Sequence, residues 1–286
     1  MNKVPLFLIQ ANLLNQDDTA DLRFAINSSG HMYALVDIKP FVYDNIPDYD
    51  TESYHVIPYG GTNFIEKCRV TKDWCIWFNE NFRYHIYMKN YGTHMFNSDG
   101  IHMKMRDFSP SCFKGIETLF IRPDKDLKEF AGLTIDTVNF MSWYSLIKGQ
   151  DYGVNDETEI IVATASNINT EWRIFVINGE PISGSQYRVS HNLKISADVP
   201  ERVYEFVREM CKIWVPSDVF VMDVCELNGT LSIMECGDFH SSGWYMTDKR
   251  KVIKGIGEFL EDHPAPPKYV KDISKVFLNV KKLGET

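Results

Sequence analysis

Two Asn-Gly dipeptides, each lying between two apolar runs, constrain the fold of this chain more than any other sequence feature. Asn-Gly is typical of a two-residue turn between antiparallel strands, because both positions need a positive φ. The predicted hairpins are residues 172–177 and 181–187 around Asn178-Gly179, and residues 219–224 and 231–234 around Asn228-Gly229. Pro181 restricts its strand to an edge or a late start. The sequence therefore predicts antiparallel sheet in its second half.

Apolar side chains recur at helical spacing in three segments near these hairpins. The first segment lies between the hairpins, begins near Pro200 and carries Val203, Phe206, Val207, Met210 and Trp214. The second carries Val252, Ile253, Ile256, Phe259 and Leu260, and the third carries Val270, Ile273, Val276, Phe277 and Val280. Hairpins with a helix between them and helices after them indicate an α+β fold rather than a doubly wound parallel sheet.

The first third of the chain is rich in aromatic residues, and we predict that it forms a smaller domain. Strands are predicted at residues 4–9, 33–38, 55–58 and 82–88, with a turn at 58–61. The aromatic residues of the run 74–78 and of the segment after it either form core or anchor an interface. A break at Ser98-Asp99-Gly100 gives predicted domains of residues 1–95 and 96–286.

Charge and cysteine content exclude several classes of protein. The net charge of −9 and the pI of about 5.4 argue against a broad nucleic-acid surface, which needs clustered cations. The six cysteines form no CxxC pair and no zinc-like spacing with the eight histidines, so we expect reduced, mostly buried thiols. No apolar run reaches the length of a membrane span, and no small-residue cleavage site follows residues 4–9. We therefore expect a soluble, cytoplasmic protein.

Asp223 and Glu235 interrupt the two apolar strands of the second hairpin, where an unpaired buried carboxylate is costly. Mg²⁺ prefers such oxygen ligands, and Asp238 is a third candidate. A two-residue turn would pair Asp223 with Met234 and send Glu235 to the opposite face of the sheet. A three-residue turn would pair Asp223 with Ile233 and leave Glu235 on the same face. A metal site requires this bulged turn; otherwise the acids are merely solvated at strand edges.

Cationic side chains near these strands are candidates for binding phosphate, since the sequence has neither GxGxxG nor GxxxxGK[ST]. Arg122 ends a predicted strand, and Lys125 and Lys128 follow it in a polar loop, where single lysines are usually solvated. Arg173 lies within an apolar strand and needs an anion, which is either a ligand or a neighbouring carboxylate. Arg188, at the far end of the same hairpin, is a weaker candidate.

Together these pieces resemble the ATP-grasp superfamily, and they are most similar to a phage and bacterial branch in which arginine stands where many relatives have lysine. The resemblance covers about residues 115–246 and rests on four segments in order. These are Phe120-Ile-Arg-Pro-Asp124 with Lys128-Glu-Phe-Ala-Gly132; Glu159-Ile-Ile-Val-Ala163; Glu171-Trp-Arg-Ile-Phe-Val176 with Asn178-Gly179 and Ser185-Gln-Tyr187; and Val221-Met-Asp223 with Met234-Glu235 and Ser242-Gly243-Trp244-Tyr245.

The resemblance implies antiparallel sheets with a small lid at about residues 115–190. A metal-binding sheet and C-terminal helices would occupy about residues 191–286, and a smaller α/β domain would precede both.

The residues that the resemblance implies in ATP binding are Arg122, Lys128, Glu159, Ile161, Val162, Ala163 and Arg173. Arg122 and Lys128 would contact the phosphates from the lid, and Arg173 would approach the γ-phosphate or the activated substrate. Lys128 and Arg173 are therefore the catalytic candidates. The backbone of residues 161–163 would form a hinge that meets the adenine edge, with Glu159 leading into it.

The resemblance further implies that Asp223 and Glu235 bind Mg²⁺. The family usually has asparagine two residues after the metal-binding glutamate, and here Gly237 stands at that position. Asp238 would then substitute as a ligand from the next position. His240, just past these acids, is a candidate base or substrate contact, although a lone loop histidine more often has no chemical role.

The activity that the resemblance implies is an ATP- and Mg²⁺-dependent ligase, which joins a carboxylate to an amine through an acylphosphate. The acceptor would be a small molecule or a peptide, and the acidic charge disfavours nucleic acid. Two alternatives stay open. One is a kinase-like phosphotransferase, and the other is a non-catalytic protein that binds a nucleotide or a partner on an ATP-grasp frame.

Overall fold

The first of three sheets in the described part of the chain is parallel. The computed structural model describes residues 3–13, 16–39, 45–125, 129–148 and 153–263. In the first sheet, β1 (Val4–Gln10) lies between β2 (Met32–Val36) and β3 (Tyr54–Tyr59). Helix α1 (Gln16–Ser28) joins β1 to β2, and α2 (Thr62–Thr71) follows β3. β1 is buried from its second residue onward, as expected for a central parallel strand.

The three strands predicted for the start of the chain are confirmed, with ends shifted by one to two residues. The turn predicted at residues 58–61 is wrong. Pro58 and Tyr59 continue β3 instead, and α2 begins at Thr62 directly after the two glycines. The apolar character of the strand therefore extends further than its flanking Pro and Gly residues indicated.

The strand predicted at residues 82–88 is wrong, because this segment is helical. A short 3₁₀ turn, Glu80–Phe82, leads into α3 (Tyr84–Tyr91). The buried face of α3 consists of Tyr84, Tyr87 and Tyr91. Their spacing of three and four residues is that of one helix face, and the partial alternation of the sequence concealed it.

The aromatic residues of the first third are core residues. The run 74–78 has no regular secondary structure, and all five of its side chains are buried. Trp74, Ile76 and Phe78 pack in one cluster with Ile174 and Met222 of the second half. The alternative that these aromatic side chains anchor an external interface is therefore wrong.

The second sheet has four antiparallel strands in the order β4-β7-β5-β6. Its strands are β4 (Ile101–Lys104), β5 (Thr118–Pro123), β6 (Leu133–Asp136) and β7 (Glu159–Thr164). Helix α4 (Phe140–Ile147) packs Phe140 and Tyr144 into a cluster with Leu119 and Ile121 of β5. This unit has its own core, as the lid implied by the resemblance requires.

The third sheet has five antiparallel strands in the order β10-β9-β8-β11-β12. They are β8 (Thr170–Ile177), β9 (Glu180–Val189), β10 (Asn192–Ser196), β11 (Val219–Leu227) and β12 (Thr230–Asp238). Helix α5 (Glu201–Ile213) packs with the cluster of Ile174 and Met222, and α6 (Lys249–Asp262) packs with that of Phe175 and Val221. The helices therefore cover opposite faces of the sheet, because side chains alternate along a strand.

Both Asn-Gly hairpins are confirmed. Asn178 and Asn228 have φ values of 50° and 51°, and the glycines after them also have positive φ. Ile177 pairs with Glu180 and Leu227 with Thr230, so both turns have two residues. The helices predicted around them are confirmed as α5 and α6, whereas the helix predicted at 270–280 lies outside the described residues. No helix in the described ranges is both long and apolar enough to cross a membrane.

His240 joins the parallel sheet to the five-stranded sheet. Its Nδ1 donates to the Pro58 carbonyl at 2.7 Å, and its Nε2 accepts the Trp77 backbone N–H at 2.9 Å. The ring is fully buried and stacks on Trp77. Burial lowers the pKa of His240, which matches the neutral tautomer that these two bonds need. His240 is therefore a structural residue, and the candidate role as a base or substrate contact is not supported.

Replacing His240 with glutamine is expected to reduce the pH dependence of stability. The wild-type free energy of unfolding should fall as the pH drops below 6.5, since the unfolded histidine takes up a proton that the folded one resists. His240→Gln should remove part of this fall and cost about 1–3 kcal/mol at pH 8. The rest arises from His31 and His55, whose pKa values burial also lowers. Urea denaturation between pH 8 and pH 5.5 measures both effects, with exposed His94→Gln as the control. Equal slopes in wild type and variant would contradict this.

Candidate active site

A bulge in the second hairpin places two carboxylates opposite each other. The two-residue turn alone would set Asp223 opposite Met234. The register shifts by one residue just after Asp223, so Asp223 pairs with Glu235 instead. Directly opposed side chains project from the same face of a sheet, with Cβ atoms about 4.5–5.5 Å apart. Neither register predicted from the sequence is correct, because the bulge lies within the strands rather than at the turn.

Asp223 forms a two-pronged ion pair with Arg173, which lies opposite it on β8. Arg173 Nε and Nη2 donate to the two carboxylate oxygens at 2.8 Å each. Burial raises the pKa of Asp223 against the effect of Arg173, and the nearby carboxylates Glu235 and Glu171 raise it further. Burial alone would lower the pKa of Arg173, but Asp223 raises it well above its ordinary value. Each charge is tolerated there because the other one compensates it.

Glu235 connects the five-stranded sheet to the four-stranded sheet. Arg122, near the end of β5, donates from Nη1 to Glu235 Oε2 at 2.6 Å. The guanidinium of Arg122 also lies 4.5 Å above the centre of the Tyr84 ring, a cation–π contact. Burial opposes the charge on Arg122, yet Tyr87 and Glu235 raise its pKa above the ordinary value. The side chain of Glu235 is 32% exposed, so it is the more accessible of the two opposed acids.

A second layer of polar side chains surrounds Asp223. The buried Glu171 accepts a hydrogen bond from Tyr187 Oη at 2.6 Å, and Arg188 lies 3.3 Å from its other oxygen. Tyr187 Oη is also 3.3 Å from Asp223 Oδ2. Tyr245 stacks on Tyr187, with the ring centres 5.0 Å apart. Sequence reasoning assigned no role in the site to Glu171, Tyr187 or Tyr245; the signal was a second acid two residues before Arg173, on the same face of β8.

These side chains open into a cleft of about 250 Å³ between the four-stranded and five-stranded sheets. The lining residues are Phe96, Asn97, Phe120, Arg122, Gly132, Thr134, Ser166, Ile168, Glu171, Tyr187, Arg188, His191, Met234 and Glu235. Cations, acids and apolar side chains therefore face one hollow, a combination typical of a small-molecule site.

The predicted phosphate ligands have different outcomes. Arg122 and Arg173 converge on the opposed carboxylates, each bound to one of them. Lys125 is exposed, and Lys128 lies outside the described residues. Of the cations predicted to meet a triphosphate, the structure therefore brings together the two arginines.

The predicted adenine hinge needs correction. Ile161 and Val162 pair with β4 on one side and β5 on the other, so their backbone groups are used within the sheet. Glu159 does not line the cleft; it forms an ion pair with Arg83 instead. Ala163 pairs with Phe120, and the chain first reaches the cleft at Ser166 and Ile168. A central strand has no free edge to offer a base, whereas the connection after it has one.

Asp238 is not placed as a third ligand, which corrects that prediction. It lies three residues after Glu235, on the opposite face of β12, and is buried. Its carboxylate accepts from Ser241 N at 3.0 Å and from Ser241 Oγ at 2.6 Å, so it caps the short 3₁₀ turn that positions His240. Gly237 is the residue that shares the face of Glu235.

Comparison with known families decides the assignment. Residues 101–255 match a family described as an ATP-grasp domain, the second family of its clade. The chain belongs to this family. The match contains the four-stranded sheet, the five-stranded sheet and every side chain of the opposed ion pairs. A search of curated proteins found no match.

Solved structures show the same ATP-grasp fold. D-cycloserine synthetase DcsG is 11% identical with a TM-score of 0.60, over 90% of this chain and 99% of that one. D-alanine–D-alanine ligase from Bacillus anthracis complexed with ATP is 11% identical with a TM-score of 0.59, over 91% and 98%. Macrocyclase MdnC from Microcystis aeruginosa MRC, bound with precursor peptide MdnA, is 11% identical with a TM-score of 0.52, over 91% and 100%. The predicted α+β, ATP-grasp-like fold is therefore confirmed.

Proposed function

We propose that this ATP-grasp protein is an ATP- and Mg²⁺-dependent ligase that joins a carboxylate to an amine through an acylphosphate. The observation that carries the proposal is the pairing of Asp223 with Glu235 across the bulge, with one arginine at each carboxylate. Membership of the family and the fold shared with named ligases support it.

The two opposed carboxylates fit a Mg²⁺ ion in donor chemistry and in spacing. Mg²⁺ takes hard oxygen ligands, commonly one or two carboxylates together with substrate phosphates. Opposed residues on neighbouring antiparallel strands bring both carboxylates to one side of the sheet. When bound, the ion would neutralise charge on the phosphates that it bridges.

The arginines take a second role when a metal and a triphosphate enter the cleft. Arg122 and Arg173 now neutralise Glu235 and Asp223, and a divalent cation beside these acids supplies that charge instead. The guanidinium groups can then donate to phosphate oxygens, which they bind in the same planar manner as carboxylates. Arg122 comes from the four-stranded sheet, so this exchange also ties the lid to the nucleotide.

The nucleotide base would lie against the connection between the two sheets. Ser166 and Ile168 line the cleft there, on the side where β7 has ended. We therefore place the adenine contact after residue 164 rather than at residues 161–163. Lys128 stays a proposed phosphate ligand from the lid.

The chemistry asks the protein for position and charge rather than for covalent participation. A substrate carboxylate oxygen attacks the γ-phosphorus of ATP, and ADP leaves. The amine nitrogen then attacks the acyl carbon, phosphate leaves, and the nitrogen loses its proton. Arg173 is buried between Asp223, Tyr187 and Tyr245, and we assign to it the stabilisation of the transferring phosphoryl group.

The acceptor is proposed to be a small molecule or a peptide. A D-alanine–D-alanine ligase and a macrocyclase bound with a precursor peptide share the fold. The net charge of −9 disfavours a nucleic-acid acceptor.

Calorimetric titration with Mg-ATP, followed by a phosphate-release assay with pools of amino acids and short peptides, tests the proposal. We expect saturable binding, and phosphate release that depends on an acceptor pool. Mass spectrometry of the products separates the chemistries, because a ligase gives a condensation product and a kinase gives a stable phosphorylated acceptor. Binding without phosphate release in any pool would favour the non-catalytic alternative, and absence of binding would refute the nucleotide assignment.

Replacing Gly237 with asparagine tests the second metal position. The new side chain would project from the face of Glu235, where a Cβ atom lies 3.1 Å from Val221 Cγ2 and 3.5 Å from Ser242 Oγ. Val221→Ala gives the room that this contact needs. We expect the double variant to reach half-maximal phosphate release at a Mg²⁺ concentration lower than Val221→Ala alone, because asparagine adds an oxygen ligand. An unchanged Mg²⁺ requirement would contradict the position assigned to the second ion.

A further inference from the structure

A cluster of titratable side chains lies outside the cleft, where α3 meets the four-stranded sheet. It consists of His85 on α3, His102 on β4 and Asp124 directly after β5. Glu159 on β7 and Arg83 before α3 complete its surroundings. The proposed ligase chemistry uses none of these five residues. We call the first three residues the histidine cluster.

The ligand atoms of the histidine cluster converge on one point. His85 Nδ1 lies 2.9 Å from both oxygens of Asp124, and His102 Nε2 lies 3.8 Å from Asp124 Oδ2. The three ligand atoms all lie within 4.8 Å of one another. His102 Nε2 is also 3.4 Å from Glu159 Oε1, so a fourth ligand stands beside the third. Four elements distant in sequence contribute these atoms, so the convergence is a property of the fold.

The separations suit a tetrahedral ion. Bonds of about 2.0–2.1 Å in tetrahedral geometry place neighbouring ligand atoms about 3.3 Å apart. The contacts of 2.9, 3.4 and 3.8 Å lie on both sides of that value. Two imidazoles with carboxylates are the donor set that Zn²⁺ and related ions prefer over Mg²⁺ or Ca²⁺.

The charge of the cluster favours a cation. With neutral histidines, Asp124 and Glu159 bring two negative charges, and Arg83 supplies one positive charge by pairing with both. Glu129 adds a further carboxylate in the electrostatic field of Asp124 and Arg83. Its Oε2 is buried and has no hydrogen-bond partner among the residues that the structure describes. The region therefore carries more negative charge than its arginine compensates.

We propose that His85, His102 and Asp124 bind a divalent transition-metal ion of the Zn²⁺ class, with Glu159 as the adjacent fourth ligand. Both histidine side chains are 30% exposed, so an ion can enter from solvent. Arg83 and the His85 backbone N–H donate to Asp124 at 2.8 Å each, the kind of second layer that orients a metal ligand. The ion would fix α3 to the lid sheet, two residues along the chain from Arg122.

Cobalt binding gives a readout that is independent of ATP turnover. Co²⁺ titrated into the metal-free full-length protein without nucleotide should give one equivalent of an intense visible spectrum, which tetrahedral coordination produces. Zn²⁺ should displace it, and competition with a chromophoric chelator gives the affinity. His102→Gln should weaken binding by more than about 100-fold, since even loss of a group that only orients a ligand costs 10–100-fold.

The controls separate this site from the nucleotide cleft and from chance surface binding. His94→Gln removes an exposed histidine outside the cluster and should leave Co²⁺ affinity unchanged. Glu235→Gln alters the proposed Mg²⁺ site and should also leave it unchanged, so failure of one assignment is distinguishable from failure of the other. His85→Gln repeats the test if His102→Gln unfolds the protein, as circular dichroism would show. Absence of a one-equivalent spectrum, or equal affinity in the His102 and His94 variants, would overturn the proposal and leave a His85–Asp124 hydrogen bond.

Discussion

Glu235→Gln is expected to lower ATP-dependent phosphate release by about 10²–10³-fold, the range for losing one preorganised contact to transition-state charge. Glutamine keeps the shape of the side chain and its hydrogen bond to Arg122, but it removes the negative charge that a metal ion needs. The side chain is partly exposed, so this change should cost little stability. Phosphate release and thermal unfolding measured on the same preparation separate the two effects.

Glu226→Gln is the matched control for this prediction. Glu226 lies on the neighbouring strand β11 and pairs with Arg202 at 2.7 Å rather than with a cleft residue. Its replacement should leave phosphate release within about twofold of wild type, because exposed ion pairs contribute little. Equal activity in Glu235→Gln and Glu226→Gln would remove Glu235 from the metal site.

Arg173→Met should lower the free energy of unfolding by about 3–5 kcal/mol, because it leaves Asp223 buried without its partner. Asp223→Leu alone should be similarly damaging, since it strands the guanidinium. The double variant should recover much of the loss, because two apolar side chains carry no uncompensated charge. Denaturant unfolding of the wild type, both single variants and the double variant measures this coupling. All three variants should lack phosphate release.

The pair Arg202 and Glu226 again gives the control, since it lies in the same sheet with 46% and 18% of the two side chains exposed. Arg202→Met and its double variant with Glu226→Leu should each change stability by at most about 1 kcal/mol. Additive losses at Arg173 and Asp223, with no recovery in the double variant, would show that burial rather than mutual compensation dominates there.

The sequence predicted the parts of the fold that local rules determine. The Asn-Gly turns fixed two hairpins because few other residue pairs accept positive φ at both positions. The apolar stripes of α5 and α6 likewise require a helix. The partnership of Arg173 with an acid was also expected, because a guanidinium within an apolar strand needs an anion.

What the sequence did not reveal depends on contacts between distant segments. The bulge after Asp223 has no local signature, and a one-residue change of register decides which face Glu235 occupies. Arg122 reaches Glu235 across 113 positions, a contact that no spacing rule predicts. The same holds for Asp238, whose capping of the turn at Ser241 follows from the end of β12 rather than from its own position.

Nucleotide-dependent binding of Mn²⁺ tests the central claim most directly. Mn²⁺ accepts the same oxygen ligands as Mg²⁺, and its free form is counted by electron paramagnetic resonance. With a non-hydrolysable ATP analogue present, we expect wild-type protein to remove Mn²⁺ from solution. Glu235→Gln should lose this binding and Glu226→Gln should retain it. Equal Mn²⁺ binding by these two variants, or analogue binding that no divalent ion affects, would contradict the assignment of Asp223 and Glu235 as the acids that join a metal ion to ATP.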